Sequence, residues 1–276
     1  MAKKNPGGPP VSAKVRQREA ARAEALRIQA ERAAKARRSR ILTIASLLGG
    51  LVIVAALVIV ILQNGPSNDP DKLAARPVGS LANGGIVMGQ DGVAGASAPE
   101  GDDVVTVDVY SDYMCPYCGL LEKATRDQFK ELRESGEVRL VLHPVALLDG
   151  YSNDTQYSTR ATDAAAAVAA FAPDKFLAFH EILFDNQPDE NTDGLSDDEI
   201  AQFARDVGVP EDVVGQFAAA PLDEWVKAAT EASGLTGTPV VTMRLGDGEE
   251  QRWNNWRTGD LRTAVQRVKD GQTPDE

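Results

Sequence analysis

A chain of 276 residues with an ordinary apolar share, 43%, has the material for one or two domains with a real core. Its net charge of −12 is unevenly laid out: residues 1–40 carry 12 Lys and Arg against 3 acidic residues, +9, and residues 41–276 carry 17 against 38, −21, so the two ends face different surroundings. The acidic balance argues against a nucleic-acid partner, and two cysteines with two histidines, His143 and His180, are too few and too scattered for a zinc site of the usual spacing.

In chain order, residues 1–11 are rich in Pro and Gly and read as disordered. Residues 12–40 are dominated by Ala, Arg, Glu, Lys and Gln, which predicts a helix, but without an apolar stripe; a basic helix lying beside an anionic leaflet fits this composition. Residues 41–62, ILTIASLLGGLVIVAALVIVIL, contain no ionisable side chain. As a helix rising ~1.5 Å per residue they reach ~33 Å, enough for a hydrocarbon core of ~30 Å, and they are expected to form one transmembrane helix. Arg32, Lys35, Arg37, Arg38 and Arg40 stand just before it, which places the N-terminus in the cytoplasm and the acidic part outside the cell membrane. A cleavable signal peptide would have a shorter apolar region and a small-residue cleavage pattern, so an uncleaved anchor is favoured; the adjacent Arg37 and Arg38 are weak grounds for twin-arginine export.

Residues 63–84 are rich in Pro, Asn, Asp and Gly and predict a linker that lets the outer domain stand off the membrane. A short edge strand is expected at residues 85–88, and a buried β-branched strand at residues 104–110, VVTVDVY. A helix is predicted to open at the cysteine pair and run to about Ser135, with Leu120, Leu121, Ala124, Phe129 and Leu132 on one face. A strand follows at residues 138–142, and a helical block from residue 158 to about 216, its third segment capped by Ser196. The pattern ends with a helix at 223–233, strands at 240–245 and 251–256, and a helix at 259–269. Strand, helix, strand, helical block, helix, two strands and helix define an α/β fold whose sheet is covered on both faces.

The chemistry concentrates in SDYMCPYC, residues 111–118, which holds both cysteines. A structural disulfide closing a loop of two residues removes little unfolded-state entropy, and two chance thiols outside the cell would oxidise. The fourth reading, after zinc, staple and chance, is a dithiol that cycles. At a helix start, positions i and i+3 share a face, so Cys115 and Cys118 can bond without large backbone movement. Cys115 would meet the free N–H groups and positive dipole end, which favour its thiolate; Pro116 fits the first turn, where no hydrogen bond is lost; Cys118 would be the shielded, resolving thiol. His143 ends a strand and His180 sits in a Phe/Leu-rich helix, both consistent with ordinary packing.

The stretch 85–270 resembles the DsbA-like branch of the thioredoxin superfamily. DYMCPYC is similar to its Asp-aromatic-x-Cys-Pro-Tyr-Cys active site, FHEILFDNQP (179–188) to a segment of its inserted helical domain, and GLTGTPVV (234–241) to its cis-proline loop. The resemblance implies a thioredoxin-like fold over residues 85–276, with a helical insertion at about 150–222 and a catalytic Cys115-Pro116-Tyr117-Cys118 centre. It also implies Thr238 and Pro239 as client-binding backbone facing the dithiol, and neither metal nor cofactor. Cys115 would form a mixed disulfide with a reduced secreted or envelope client, Cys118 would resolve it, and a quinone-linked membrane oxidase would restore the disulfide. The same fold run as a reductase or isomerase, and a non-catalytic envelope interaction protein, are the alternatives. Two departures stand out. Many relatives carry an acid six positions before the first cysteine, where this chain has Val109; the neighbouring Asp108 would need a bulge to face the resolving thiol, or water would carry the proton. Tyr117 stands where the strongest oxidants have histidine, which implies a less oxidising couple.

Overall fold

The computed structural model describes residues 70–275. The basic segment and the expected span at residues 41–62 lie outside the described residues, and among the described residues no helix is long and apolar enough to cross a membrane.

Five strands form one mixed sheet: β1 (Ile86–Val87), β2 (Val105–Ser111), β3 (Val138–Pro144), β4 (Val240–Leu245) and β5 (Gln251–Arg252), in the spatial order β1-β3-β2-β4-β5. β2 and β3 run parallel with Val107 opposite Leu140, and the other neighbours are antiparallel. A parallel pair needs a crossover, which is α1 (Pro116–Glu134). Val107, Asp108 and Val109 are all buried, and since successive residues point to opposite faces, the central strand is covered on both.

Between β3 and the final strands come α2 (Tyr157–Phe171), α3 (Phe176–Asp185), α4 (Asp197–Asp206), α5 (Glu211–Val214) and α6 (Asp223–Ser233); α7 (Leu261–Lys269) ends the fold. In α2, Ala161 and the whole run from Ala164 to Ala169 are buried, because short side chains let its neighbours pack on nearly every side. Ser196 begins α4 with a reciprocal cap: Glu199 N–H donates to Ser196 Oγ at 3.3 Å, and Ser196 N–H donates to Glu199 Oε2 at 2.8 Å. Asp260 caps α7 through Thr263 N–H at 2.8 Å.

Several expectations are corrected. The inner face of α1 is Cys118, Leu121, Thr125, Phe129, Leu132 and Arg133, while Leu120 and Ala124 face outward. Arg133 is tolerated inside because its guanidinium donates to the carbonyls of Gly89 and Gln90, ending the chain after β1. The last strand stops at Arg252 instead of continuing to Trp256, because Asn254 and Asn255 leave the ladder to bind Asp275 at 2.6 and 3.1 Å. Residues 70–84 do not stand off the domain: a 3-10 turn, Pro70–Lys72, packs on α6, and Gly84, at φ +81°, lies where any Cβ would overlap Ala229.

Candidate active site

β2 ends at Ser111, and the chain turns into α1 with Cys115 as its N-cap and Pro116 as its first helical residue. Cys118 N–H donates to the Cys115 carbonyl at 2.9 Å, so the two cysteines sit on one helical turn, and both are free thiols. The Thr238–Pro239 peptide bond is cis, and it brings the Thr238 carbonyl to 3.3 Å from Cys115 Sγ, which donates to it across 123 residues of sequence. The predicted catalytic residues Cys115, Pro116, Tyr117 and Cys118 and the predicted client-binding residues Thr238 and Pro239 thus meet at one place.

Access separates the thiols less than electrostatics does. Cys115 is 4% exposed and Cys118 1%, with exposed Pro116 and Tyr117 forming a rim. The Cys115 thiol is pulled down from 9.0 to about 6, chiefly by its hydrogen bond with Cys118; burial opposes this, and the N–H groups of Cys118 and Tyr117 at the helix start add to it. Cys118 moves the other way, well above 9.0, first through burial and then through the hydrogen bond and charge of Cys115. One sulfur is therefore an anion at neutral pH and the other a protonated thiol. A midpoint at about 6 leaves a roughly thirtyfold larger thiolate fraction at pH 7 than an unperturbed thiol at ~8.5. Iodoacetamide labelling of the reduced chain, followed by peptide mass, is expected to titrate Cys115 near pH 6 and to leave Cys118 unlabelled until far more alkaline pH. A Cys115 midpoint near 8.5 would contradict this assignment.

Two residues hold this turn in place, and neither was singled out from sequence. Asp112, fully buried, accepts from Met114 N at 2.8 Å, Leu147 N at 2.7 Å, Leu148 N at 2.9 Å and Ser158 Oγ at 2.7 Å, while its own N–H points at Cys118 Sγ, 3.5 Å away. It ties the active-site turn to the chain after β3 and to α2. Gln187, just past α3, donates from Nε2 to the carbonyls of Tyr113 and Cys115, both at 2.9 Å, and a side chain at Gly119 would displace its Oε1. Both lie within the stretches that carry the family resemblance, but a buried acceptor and an amide clamp are made by tertiary contact and have no periodic signal of their own.

The departure at Val109 also has a structural outcome. β2 pairs with β3 in unbroken register, so no bulge re-aims Asp108. Its carboxylate meets His143 Nε2 at 2.7 Å, and His143 stacks on Tyr110 with ring centroids 4.0 Å apart. On the Cys118 side, Val109, Ser111, Cys118, Glu122, Arg126 and His180 line a cavity of about 340 Å³. Burial pushes the Glu122 carboxyl up, but His180 and Arg126 outweigh it and hold the group below its ordinary value. Glu122 thus lines the cavity that Cys118 opens on, together with Asp91, Glu134, Asp174 and Glu181, and Asp108 does not. His180 is buried, bonded through Nδ1 to Tyr113 Oη at 2.9 Å.

A mixed sheet with a crossover helix that opens on a cysteine pair, faced by a cis-proline loop and interrupted by a helical block, defines a thioredoxin-like fold with a dithiol at its helix start. The family described as Thioredoxin matches residues 99–258, more than half of the chain, and the chain belongs to it. Among solved structures, oxidised DsbA of Mycobacterium tuberculosis is 27% identical, covering 62% of this chain and 86% of that one, with a TM-score of 0.52. MdbA of Actinomyces oris, described as a thiol-disulfide oxidoreductase, shares the fold at 22% identity, covering 75% of this chain and 100% of that one, with a TM-score of 0.54. The serine/threonine-protein kinase PknE of Mycobacterium tuberculosis is 29% identical over 147 residues, 49% of this chain and 26% of the kinase. The chain thus spans about a quarter of the length of the curated relatives it matches.

Proposed function

We propose that the chain is an exported, membrane-tethered enzyme that introduces disulfide bonds into secreted or cell-envelope proteins. The observation that carries the reading is the asymmetric pair: a thiol held at about 6 beside a buried partner held well above 9.0. In the oxidised enzyme a client thiolate attacks Cys115 Sγ; the Cys115–Cys118 bond breaks, and its electron pair leaves on Cys118, which takes a proton. A second client thiolate then attacks the client sulfur of the mixed disulfide, and Cys115 leaves as a thiolate. Two client thiols have become a disulfide, and the enzyme dithiol holds the two electrons. The low pKa of Cys115 makes it a good leaving group in this last step. Thr238 and Pro239 receive the client backbone as a short strand beside the sulfur, where the missing proline N–H costs no pairing.

Reoxidation passes the two electrons to a quinone-linked membrane oxidase, because the chain has no further cysteine pair to receive them. Export and anchoring are supported by the uncharged run at residues 41–62 behind a basic cluster, with the N-terminus on the cytoplasmic side. An outward-facing dithiol is remote from cytosolic reductant, which favours the oxidising direction. Tyr117, in place of the histidine of stronger oxidants, favours the same chemistry run as a reductase or isomerase. Redox titration of the purified chain against glutathione, together with refolding of a reduced client, separates these. A potential well above ~ −270 mV with client oxidation supports our reading; a value near ~ −270 mV without it moves the enzyme to the reductive class.

A further inference from the structure

Over the ring of Tyr117, between the two cysteines in sequence, stands a cation with no ion pair among the described residues. Arg257 follows Trp256 in the loop after β5, and its guanidinium lies over the Tyr117 ring, 4.3 Å from the centroid, and 5.0 Å from that of Trp256. The loop is held from below: Trp256 is 9% exposed, and Asn254 and Asn255 are tied to Asp275. Arg126, Arg160, Arg205 and Arg262 all face carboxylates. Arg257 makes no ion pair or hydrogen bond among the described residues.

The ring beneath Arg257 belongs to the active-site motif, two residues after the nucleophile. Tyr117 is 51% exposed, and Leu120, one turn further along α1, is 54% exposed. Both are large apolar surfaces left open on the first two turns of α1, the helix that Cys115 caps. Stacking on an aromatic face leaves the N–H edges of a guanidinium free, and those edges match a carboxylate with two parallel hydrogen bonds. The positive end of the α1 dipole adds to the same local field.

We propose that Arg257, Tyr117 and Leu120 form a client-reading patch that selects polypeptides with an acidic side chain flanking the reactive cysteine. This rests on the oxidase reading above and names the substrate class for that site. The apolar pair takes the segment beside the client cysteine, and Arg257 takes the carboxylate. Without that counter-charge, a client carboxylate near the sulfur would repel the Cys115 thiolate as it forms, so the cation favours acidic-flanked clients at the step where charge appears.

The test uses the oxidised full chain and three dithiol peptides that differ only in the residue beside the first cysteine: Asp, Asn or Lys. Peptide oxidation is followed as a second-order rate at low ionic strength. The expected order is Asp over Asn over Lys, with a spread of about three- to fivefold between Asp and Asn, the range of one exposed charge pair. Arg257→Gln is expected to collapse the spread below twofold, and Arg257→Glu to reverse it. Equal rates in the unsubstituted chain, or a spread that persists in Arg257→Gln, overturn the proposal. Failure of the unsubstituted chain to oxidise any peptide instead overturns the oxidase reading on which it rests.

Discussion

Cys118→Ala is expected to trap a client on Cys115, and Cys115→Ser to abolish exchange. In the Cys118→Ala chain the nucleophile survives but the internal attack that would release a wrongly captured client does not. Offered a client that carries a disulfide, the Cys115 thiolate attacks one client sulfur and expels the other as a thiolate, so a disulfide of client and enzyme accumulates on a non-reducing gel and collapses to two bands with reductant. In Cys115→Ser the attacking atom is an alcohol that stays protonated at neutral pH, so turnover falls by at least on the order of 10³-fold. The trap variant carries a second, finer expectation. Its partner is the largest contribution holding Cys115 down, so removing Cys118 raises the Cys115 midpoint above about 6. Capture at pH 6 to 7 then slows in proportion to the lost thiolate fraction, and recovers at higher pH. Trapping with a raised midpoint supports catalysis by this pair; unchanged client behaviour in both variants favours a scaffold that retains the fold without its chemistry.

The parts of this molecule that sequence made legible are those in which one local pattern fixes the outcome. The β-branched run 104–110 could only be a buried strand, and it is β2 to within a residue. The Cys-Pro start of α1 is written in the preference of proline for a first turn, and the structure has Cys115 at the N-cap. Ser196 with Glu199 spells a cap that forms. Legibility ends where several segments decide together. The inner stripe of α1 keeps Leu121, Phe129 and Leu132 but takes Cys118 and Thr125 in place of Leu120 and Ala124, because the sheet and α3 set the rotation of the helix, and a buried Arg133 becomes acceptable only when two loop carbonyls arrive to meet it. The final strand fails beyond Arg252 because Asp275, from the far end of the chain, captures Asn254 and Asn255. At the site itself the sulfurs and the cis-proline loop are readable from motif and order. The Gln187 clamp, the Glu122 cavity wall and the Arg257 stack each join positions more than sixty residues apart or on separate elements, and no local rule points to them.

Asp112→Ala is expected to be the most destabilising single change near the site, and its cause is the number of donors left behind. The Asp112 carboxylate satisfies three backbone N–H groups and one hydroxyl in a position with no solvent exposure. An orphaned buried donor costs about 1–3 kcal/mol, so partial relaxation still leaves a loss of about 3–6 kcal/mol, a large share of a typical stability of ~5–15 kcal/mol. Asp112→Asn divides the effect, because Oδ1 serves Met114 and Ser158 while Oδ2 serves Leu147 and Leu148. An amide oxygen can satisfy one side and turns its NH₂ against the other, so about half the loss is expected. The pH dependence gives the sign a second check. Burial raises the Asp112 carboxyl above 3.8, with its four hydrogen bonds opposing. The folded state therefore binds this proton more tightly than the unfolded chain does. The stability due to that preference is complete below 3.8 and is lost as pH rises through the raised folded value, a decline that Asp112→Asn, with no proton to release, does not show. Thermal unfolding of the three chains across the acidic range measures both effects. A drop in Asp112→Ala below about 1 kcal/mol, the size of one exposed hydrogen bond, would mean that this carboxylate is not what fastens the active-site turn to the helical block.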